Sequence, residues 1–238
     1  MIGPEALTNL ALLCLCYVYI LLVIIATGKI GRVWSRNPSR KFLHIMIGNL
    51  PFLIPFFSYN AFPLNSPFFV AAPFIIVTLL VSPYSPVKSL SRKMPELTEV
   101  TEGGHHLGLV FYAVSYTVLA LFFASKPYVI AAGILPMAYG DAAASLVGEK
   151  IGRHHYRVFA KKSLEGSIAM FVVSFVSLAI SLLFFSTFYP LPFLDSILIA
   201  LGVATVATVS EALTPRGIDN LTVPFFSVSL FLLLIGGV

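Results

Sequence analysis

Charged residues are scarce in this chain of 238 residues. Asp, Glu, Lys and Arg make up 11% of it, against roughly 25% in a soluble domain, and 58% of the residues are hydrophobic. The mean hydropathy is +0.94. This shortage of charge excludes an ordinary soluble globular domain and predicts that lipid surrounds most of the protein.

Cysteines are few, and the common nucleotide-binding motifs are absent. Cys14 and Cys16 lie in one apolar run with no other metal ligands nearby, so we interpret them as small apolar residues of a membrane helix. No GxxxxGK[ST] loop and no kinase HRD–DFG set is present, which excludes the common soluble nucleotide-binding folds. Without repeats or long loops, the chain is predicted to be one membrane domain over residues 1–238.

Eight apolar runs are present, and several approach the roughly 20 residues that a helix needs to cross a bilayer. They cover residues 7–26, 42–57, 67–82, 107–124, 127–144, 168–188, 197–209 and 222–237. The predicted fold is an all-α polytopic membrane bundle of about eight transmembrane helices, with a range of seven to nine. Because no basic segment precedes the first run, we expect a retained helix with its N-terminus outside, not a signal peptide.

The distribution of basic residues supports this topology. With eight spans and the N-terminus outside, the cytoplasmic loops are 28–41, 83–106, 148–163 and 210–220. These loops hold fourteen of the fifteen Lys and Arg residues, and Lys126 is the exception. Because Lys and Arg mark the cytoplasmic loops of a membrane protein, this distribution predicts the orientation, and the net charge of +5 is no evidence for a nucleic-acid partner.

The first of four polar clusters on this side is YGDAAASLVGEKIG, residues 139–152. Asp141, Ser145, Gly148 and Gly152 share one face of a helix. Small residues on such a face allow close helix packing. Alternatively, a carboxylate beside a glycine-lined groove suits Mg²⁺ and a phosphate chain, and the acid at the head of the face favours this second interpretation.

The second cluster is RHHYRVFAKKSLEGS, residues 153–167. Ser163 is predicted to be the N-cap of the sixth span, and a helix N-terminus beside Lys162 attracts phosphate. Glu165 in the same first turn would repel a bare phosphate unless a metal ion bridges the two. The alternative is a plain helix cap with basic membrane anchors.

The third cluster is SEALTPRGIDNLTVP, residues 210–224. Glu211 ends the seventh span, and Asp219 and Asn220 open the eighth after a tight turn through Pro215 and Gly217. These residues are either ordinary helix caps or oxygen donors that complete a metal site with Asp141.

The fourth cluster is RNPSRKFLHIMIGN, residues 36–49. Arg40 and Lys41 lie at the start of the second span, and His44 lies one turn further in. His44 is either a packing histidine or a group that acts as a base or contacts phosphate. The loop KMPELTEVTEGGHHLG, residues 93–108, adds acids, glycines and a pair of histidines. Together, acids, bases and glycines on one side of one membrane suit phosphoryl or nucleotidyl transfer, which needs charge neutralisation and alignment.

These motifs resemble those of the polyprenol kinase family, which includes dolichol kinase, phytol kinase and CTP-dependent diacylglycerol kinases. The resemblance rests on GDAAASLVGEKIG, KKSLEGSIAMFVVSF, EALTPRGIDNLTVP and RKFLH, and spans residues 40–224. The segments KSLEGSIAMF and DNLTVP are most similar to those of phytol kinase. The chain departs from the pattern at Ala142 and Ala143, where phytol kinases often have Gly-Leu, and in a single Asp219 before Asn220.

The resemblance implies an integral membrane kinase that phosphorylates an isoprenoid alcohol such as phytol, geranylgeraniol or a polyprenol or dolichol. It implies CTP, or another nucleoside triphosphate, as the donor, with Mg²⁺ or another divalent cation. The catalytic residues are expected to be Asp141, Lys162, His44 and Glu165, and the metal ligands Asp141, Asp219 and Glu211. The nucleotide-binding residues are expected to be Gly140, Ser145, Gly148, Gly152, Arg157, Ser163, Gly166 and Asn220, and Arg40 and Lys41 are expected at the substrate interface.

Three alternatives stay open. A CTP-using lipid cytidylyltransferase or a diacylglycerol kinase would need the same bases and metal. A transporter without catalysis is expected to place ionisable residues near the bilayer midplane. Here the charged residues lie mostly in the predicted cytoplasmic loops, at one end of the spans. The partners expected are the lipid alcohol from the bilayer, a nucleoside triphosphate and membrane lipids, in a prokaryotic cell membrane with the active site on the cytoplasmic side.

Overall fold

A computed structural model describes residues 3–33, 36–63, 65–85, 107–215 and 217–236, and nearly all of its regular structure is helical. The prediction of an all-α membrane bundle is therefore confirmed. The chain divides into two compact units, Met1–Pro127 and Tyr128–Val238. One functional domain over residues 1–238 stays a prediction.

The first unit is built from four α-helices and one short 3₁₀ helix. They are α1 (Pro4–Val33), α2 (Arg36–Ile47), the 3₁₀ helix (Leu50–Phe56), α3 (Ser66–Val81) and α4 (Gly108–Phe123). Helix α1 packs against α2 and α3, and α3 packs against α4. Each α-helix contributes one residue to a buried cluster of Val23, Leu43, Val81 and Leu109. Burial of these side chains stabilises the unit.

Asparagine side chains tie the helix ends of this unit together. Asn65 caps α3, because its side-chain oxygen accepts a hydrogen bond from the Phe68 N–H at 2.7 Å, and its amide donates to the Leu121 carbonyl at 3.1 Å. The Asn9 side-chain oxygen accepts hydrogen bonds from the Tyr59 N–H and the Ser66 hydroxyl, both at 3.1 Å. These bonds satisfy polar groups that would otherwise lie unpaired inside an apolar unit.

The second predicted span, residues 42–57, is not one continuous helix. Helix α2 ends at Ile47, and the 3₁₀ helix begins at Leu50. Pro51 and Pro55 lie within this second segment, and a proline has no N–H to continue an α-helical hydrogen-bond ladder. Hydropathy alone does not detect such a break.

The second unit contains most of the predicted site. Its elements are α5 (Pro127–Leu135), a π-helical turn (Pro136–Gly140), α6 (Asp141–Ile151), β1 (His155–Arg157), β2 (Lys161–Ser163), α7 (Leu164–Phe185), α8 (Phe193–Leu213) and α9 (Asp219–Ile235). Helix α7 packs against α6 and α8, and α8 packs against α9. In an apolar window of 18 residues, 72% of the residues are buried for the helical run Pro127–Ile151, against 33% for Leu164–Phe185, so Pro127–Ile151 forms the centre of the unit.

Four helices in the described part of the chain are long and apolar enough to cross a membrane. They are Pro4–Gly31, Pro127–Ile151, Leu164–Phe185 and Leu194–Leu213. The shorter helices α3, α4 and α9 are also apolar. Large apolar side chains such as Leu21, Ile180 and Leu198 are exposed on α1, α7 and α8, as expected where lipid replaces water. The number of about eight spans stays a prediction.

A short hairpin follows the central helix, where the sequence predicted only a loop. Strands β1 and β2 pair in antiparallel fashion, with His155 opposite Ser163 and Tyr156 opposite Lys162. The Tyr156 hydroxyl lies 2.6 Å from the Ser167 hydroxyl on α7. The hairpin therefore fixes Lys162 against the start of α7.

Candidate functional site

Asp141 lies directly after the π-helical turn in the central helix of the second unit. Its backbone N–H bonds to the carbonyl of Pro136, five residues earlier, and the residue is only 9% exposed. A π-turn within an α-helix is rare and is frequently found at functional sites. An irregular turn thus places a carboxylate in the interior of this unit.

Gly140 allows this turn to approach α7. A Cβ atom at this position would overlap the Ser174 hydroxyl and lie 2.7 Å from the Met170 sulfur. Any side chain at this position would force the Ser174 and Met170 side chains of α7 to move. The structure therefore gives Gly140 a packing role, and its predicted part in nucleotide binding stays a prediction.

Three other predicted glycines surround the Ser163 hydroxyl. A Cβ atom at Gly148, Gly152 or Gly166 would lie 2.9, 2.8 or 3.0 Å from this oxygen. Ser163 caps α7 as predicted, because its hydroxyl accepts a hydrogen bond from the Gly166 N–H at 3.1 Å. The three glycines therefore allow α6 to lie close to the start of α7. Ser145, another predicted residue, is half-buried on α6.

Lys162 forms an ion pair with Glu211, and the fold alone brings these two residues together. The lysine is on β2 and the glutamate is in the last turn of α8, 49 positions later. Their side chains are 13% and 4% exposed. A buried ion pair is weak evidence for stability, since two well-packed apolar residues often serve a fold equally well.

Glu165 contacts the beginning of the hairpin. Its carboxylate accepts hydrogen bonds from the His154 backbone N–H at 3.2 and 3.3 Å, and lies 2.8 Å from the Nδ1 atom of the same residue. The His154 side chain is 78% exposed and that of Glu165 is 22% exposed. The structure thus gives Glu165 a role in holding the hairpin, and its predicted catalytic role stays a prediction.

Asp219 and Asn220 begin α9, as the sequence predicted. The Asp219 carboxylate accepts hydrogen bonds from the Gly217 N–H at 3.1 Å and the Asn220 N–H at 3.0 Å. Gly217 has a φ angle of 90°, which favours glycine. Asp219 and Asn220 are 7% and 6% exposed, so the start of α9 presents its polar groups inside the unit.

The three predicted metal ligands are all buried, but they do not form one cluster. Within the described ranges, no three His, Cys, Asp or Glu side chains come together in a way that would hold a metal ion. Glu211 pairs with Lys162 instead. Mg²⁺ is often held by one or two carboxylates together with phosphate oxygens. Asp141 and Asp219 fit that mode as single ligands, and a site of three carboxylates is not assembled here.

The predicted residues Arg40, Lys41 and His44 lie on α2 in the first unit. Lys41 and His44 are buried, at 4% and 3% exposure, and Arg40 is half-buried. The imidazole ring of His44 packs against the Tyr112 ring with 4.6 Å between centroids. The Tyr112 hydroxyl donates a hydrogen bond to the His44 carbonyl oxygen at 3.0 Å. Sequence reasoning missed the tyrosines of α4, because no motif marks them.

Arg157 is exposed on β1, opposite Lys161 on β2. Both residues line an open depression beside Phe159 at the tip of the hairpin. Two exposed cations at this place favour an anionic ligand or surface. The predicted contributions of the loop 93–108 before Leu107, and of Arg216, lie outside the described residues.

Comparison with known proteins finds similarity to phytol kinases. The chain is 39% identical over 143 residues to a phytol kinase of Synechocystis sp., and the match covers 58% of this chain and 59% of that protein. It is 30% identical over 208 residues to phytol kinase 1, chloroplastic, of Arabidopsis thaliana, with 82% and 66% covered. It is 32% identical over 218 residues to a probable phytol kinase, chloroplastic, of Zea mays, with 85% and 68% covered.

The matches thus span less than two thirds of the Synechocystis and Arabidopsis proteins and slightly more than two thirds of the maize protein. No family model matches the chain. No solved structure matches it either.

Proposed function

The chain belongs to the phytol kinase family, and on this premise we propose that it is a membrane kinase that phosphorylates a long-chain isoprenoid alcohol. The similarity to phytol kinases over 82% and 85% of the chain supports this reaction class. Phytol, geranylgeraniol and polyprenols or dolichol are the proposed acceptors. CTP is the proposed donor, Mg²⁺ the proposed cation, and the cytoplasmic side of a prokaryotic membrane the proposed location.

The observation that supports a nucleotide site in the second unit is the buried pair of Lys162 and Glu211. Glu211 neutralises Lys162 in the protein without ligands. A triphosphate carries more negative charge than one carboxylate and competes for the lysine. Lys162, with Arg157 on the same hairpin, neutralises charge on the phosphate chain, which is the main demand of phosphoryl transfer.

Mg²⁺ would be held by the carboxylate of Asp141 or Asp219 together with phosphate oxygens. When bound, the cation would neutralise negative charge on the phosphate oxygens. Asn220 follows Asp219 at the start of α9 and offers a side-chain amide next to that acid.

In the proposed reaction the alcohol oxygen attacks the γ-phosphorus. The bond between this phosphorus and the oxygen that bridges to the β-phosphate breaks, and a nucleoside diphosphate leaves. The hydroxyl proton passes to a base, for which His44 is the proposed residue. Arg40 and Lys41 on the same helix are proposed to face the charged end of the substrates.

Transfer from γ-labelled CTP, with ATP and UTP in parallel, tests this proposal directly. Purified protein in detergent with Mg²⁺ is given phytol, geranylgeraniol, a long polyprenol or diacylglycerol. Label in an isoprenoid monophosphate, with release of a nucleoside diphosphate, is the expected result. Label in phosphatidic acid alone would assign a diacylglycerol kinase.

Two other results would overturn the proposal. Release of pyrophosphate, with the nucleotide joined to a lipid phosphate, would show a cytidylyltransferase. No labelled lipid from any acceptor would exclude kinase activity towards these alcohols and favour a carrier.

A further inference from the structure

The tip of the hairpin exposes two apolar side chains between two basic ones. Val158 and Phe159 are 50% and 66% exposed. Arg157 and Lys161 flank the tip as a cross-strand pair, and both are exposed. Together with Phe159 they line an open depression. Large apolar residues beside basic ones are typical of segments that lie in the interface of a membrane that contains anionic lipids.

The two neighbouring lysines of β2 lie in different surroundings. Lys162, opposite Tyr156, is half-buried and pairs with Glu211. Successive side chains of a strand point to opposite faces, so Lys161 lies on the other face, where it is exposed. Lys161 is therefore directed away from the candidate site and is accessible from outside.

Helix α7, which follows the hairpin directly, matches the thickness of a bilayer. Its 22 residues give a length of about 33 Å, close to the roughly 30 Å of the hydrocarbon core. One face of the helix carries exposed apolar side chains along its whole length: Leu164, Ile168, Val172, Val176, Ile180 and Leu183. This apolar stripe begins at the residue that follows β2, so the hairpin is attached where the lipid-facing surface of α7 starts.

Aromatic residues follow at the other end of α7. The rings of Phe184 and Phe188 lie 5.4 Å apart between centroids, and the Tyr189 ring packs against Tyr128 at 5.2 Å. Tyrosine is enriched where a membrane protein meets the lipid headgroups. These residues indicate that α7 reaches from one interface of the bilayer to the other, and the hairpin then lies at the interface where α7 begins.

The covalent chain keeps the tip close to this interface. Three steps of extended chain join Lys161 to Leu164, and they span at most about 10 Å. The charge of an anionic bilayer surface acts over about 8–10 Å at physiological ionic strength. Lys161 therefore lies within reach of that charge, whichever way the hairpin leans.

We propose that the tip of the hairpin docks on the bilayer that surrounds α7, with Val158 and Phe159 in the headgroup layer and Lys161 beside the headgroups of anionic lipids. Charge complementarity supports an anionic surface, because residues 150–164 contain five basic residues and no acid. Continuity supports a lipid surface, since the apolar stripe of α7 begins where the hairpin ends. This contact goes beyond the proposed function and does not depend on the reaction that the protein catalyses.

Tryptophan fluorescence in lipid nanodiscs tests where the tip lies. The single native tryptophan is removed by Trp34→Phe, and Phe159→Trp adds a probe at the tip. The nanodiscs contain phosphatidylcholine and phosphatidylglycerol in equal parts, with bromine atoms on the acyl chains close to the headgroups. We expect the bromine to quench the emission of Phe159→Trp, and acrylamide in the water to quench it only weakly. Ile168→Trp, on the stripe of α7, is the reference for a lipid-facing position.

A pair of lysine variants tests the role of charge. Lys161→Gln removes the exposed cation beside the tip, so quenching of Phe159→Trp by the brominated lipids should fall. Lys126→Gln removes another exposed cation, outside the hairpin, and should leave the quenching unchanged. Nanodiscs of phosphatidylcholine alone should lower the quenching as Lys161→Gln does, because the anionic headgroups are missing.

Three results would overturn the inference. Strong quenching by acrylamide without quenching by bromine would place the tip in water. Protection from both quenchers would show that protein covers the tip. Protection that appears only after CTP and Mg²⁺ are added would assign the tip to the nucleotide.

The role of the anionic headgroups has its own test. Equal quenching by bromine in neutral and anionic nanodiscs, unchanged by Lys161→Gln, would overturn it. Val158→Trp, at the neighbouring exposed position, repeats each measurement with an independent probe. The docking experiments use neither an alcohol nor phosphate transfer, so a failure of the proposed kinase activity leaves their outcome unaffected.

Discussion

The ammonium group of Lys162 on β2 pairs with the carboxylate of Glu211 in the last turn of α8, and both side chains are largely buried. The two residues belong to separate motifs, 49 positions apart. Their pairing connects the hairpin to the end of a membrane helix. It also means that the cation predicted to meet phosphate is neutralised by an acid until an anionic ligand arrives.

Removal of one partner of this pair should cost stability as well as activity. Lys162→Met removes the cation that pairs with the buried Glu211 carboxylate, and we expect the free energy of unfolding to fall by about 3 kcal/mol. The double variant Lys162→Met/Glu211→Leu should recover most of that loss, because both charges of the pair are removed together. Denaturant unfolding in detergent measures both effects.

Activity should not return with stability in this double variant. Transfer of labelled phosphate from the nucleotide is expected to stay below the detection limit, since the lysine that neutralises the phosphates is missing. A double variant with near wild-type turnover would show that the pair is only structural.

Asp141→Asn should abolish phosphate transfer while the protein still folds. The amide fits the space of the carboxylate but lacks its charge, and we expect a fall in turnover of at least about 100-fold. Glu149→Gln, on the exposed side of the same helix, is the matched control and should keep near wild-type turnover. Equal turnover of the two variants would remove Asp141 from the site.

Gly140→Ala should destabilise the protein, because the new methyl group overlaps the Ser174 hydroxyl and the Met170 sulfur. We expect a loss of about 1–3 kcal/mol from overpacking. Gly31→Ala on α1 is the control, since its Cβ would have 3.5 Å to the nearest atom, on Ser39. Alanine is the better helix former, so this control should gain up to about 1 kcal/mol.

Unfolding temperatures measure the change in stability of Gly140→Ala and of Gly31→Ala. Adding Ser174→Gly to Gly140→Ala should recover part of the loss, because it removes one of the overlapping atoms. Unchanged stability of Gly140→Ala would contradict the close contact between the π-turn and α7.

Glu165→Ala should loosen the hairpin, because His154 loses the carboxylate that accepts its backbone and ring hydrogen bonds. The hairpin carries Arg157, Lys161 and Lys162, so trypsin reports its opening. We expect faster cleavage of Glu165→Ala than of the wild-type protein and of Glu149→Ala. Identical cleavage rates would leave Glu165 without a structural role and would favour the predicted catalytic one.

Helix starts were the part of the fold that local signals predicted best. Ser163 has the hydroxyl that a helix N-terminus needs, and α7 begins directly after it. Asp219 opens α9 after a glycine with positive φ, as the turn residues around Gly217 indicated. Such features depend on a few neighbouring residues, so they can be inferred without knowledge of the fold.

Other elements depend on effects that hydropathy does not describe. The run 42–57 is apolar throughout, yet Pro51 and Pro55 interrupt its helix. The hairpin was predicted only as a loop, although Tyr156 and its neighbours Val158 and Phe159 have the preference for strands that β-branched and aromatic residues share. The π-turn has no local signal beyond Pro136.

The site was predicted as a set of residues but not as an arrangement. The motifs identified Lys162, Glu165 and Glu211 as candidates. In the structure Lys162 pairs with Glu211, and Glu165 pairs with His154. Contacts between distant motifs depend on tertiary packing and cannot be read from spacing.

The π-turn at Pro136–Gly140 has a consequence for insertions and deletions. It holds one residue more than an α-helical turn, so deletion of Ala138 would allow a regular helix to continue through this segment. The α-turn that remains would cover about the same rotation and rise as the π-turn, so Asp141, Gly148 and Gly152 would keep their places. Deletion of Ala142 from the regular part of α6, by contrast, would rotate Gly148 and Gly152 by about 100° and move them by about 1.5 Å along the axis. The extra residue of the π-turn is therefore one that the chain can lose without turning the carboxylate away.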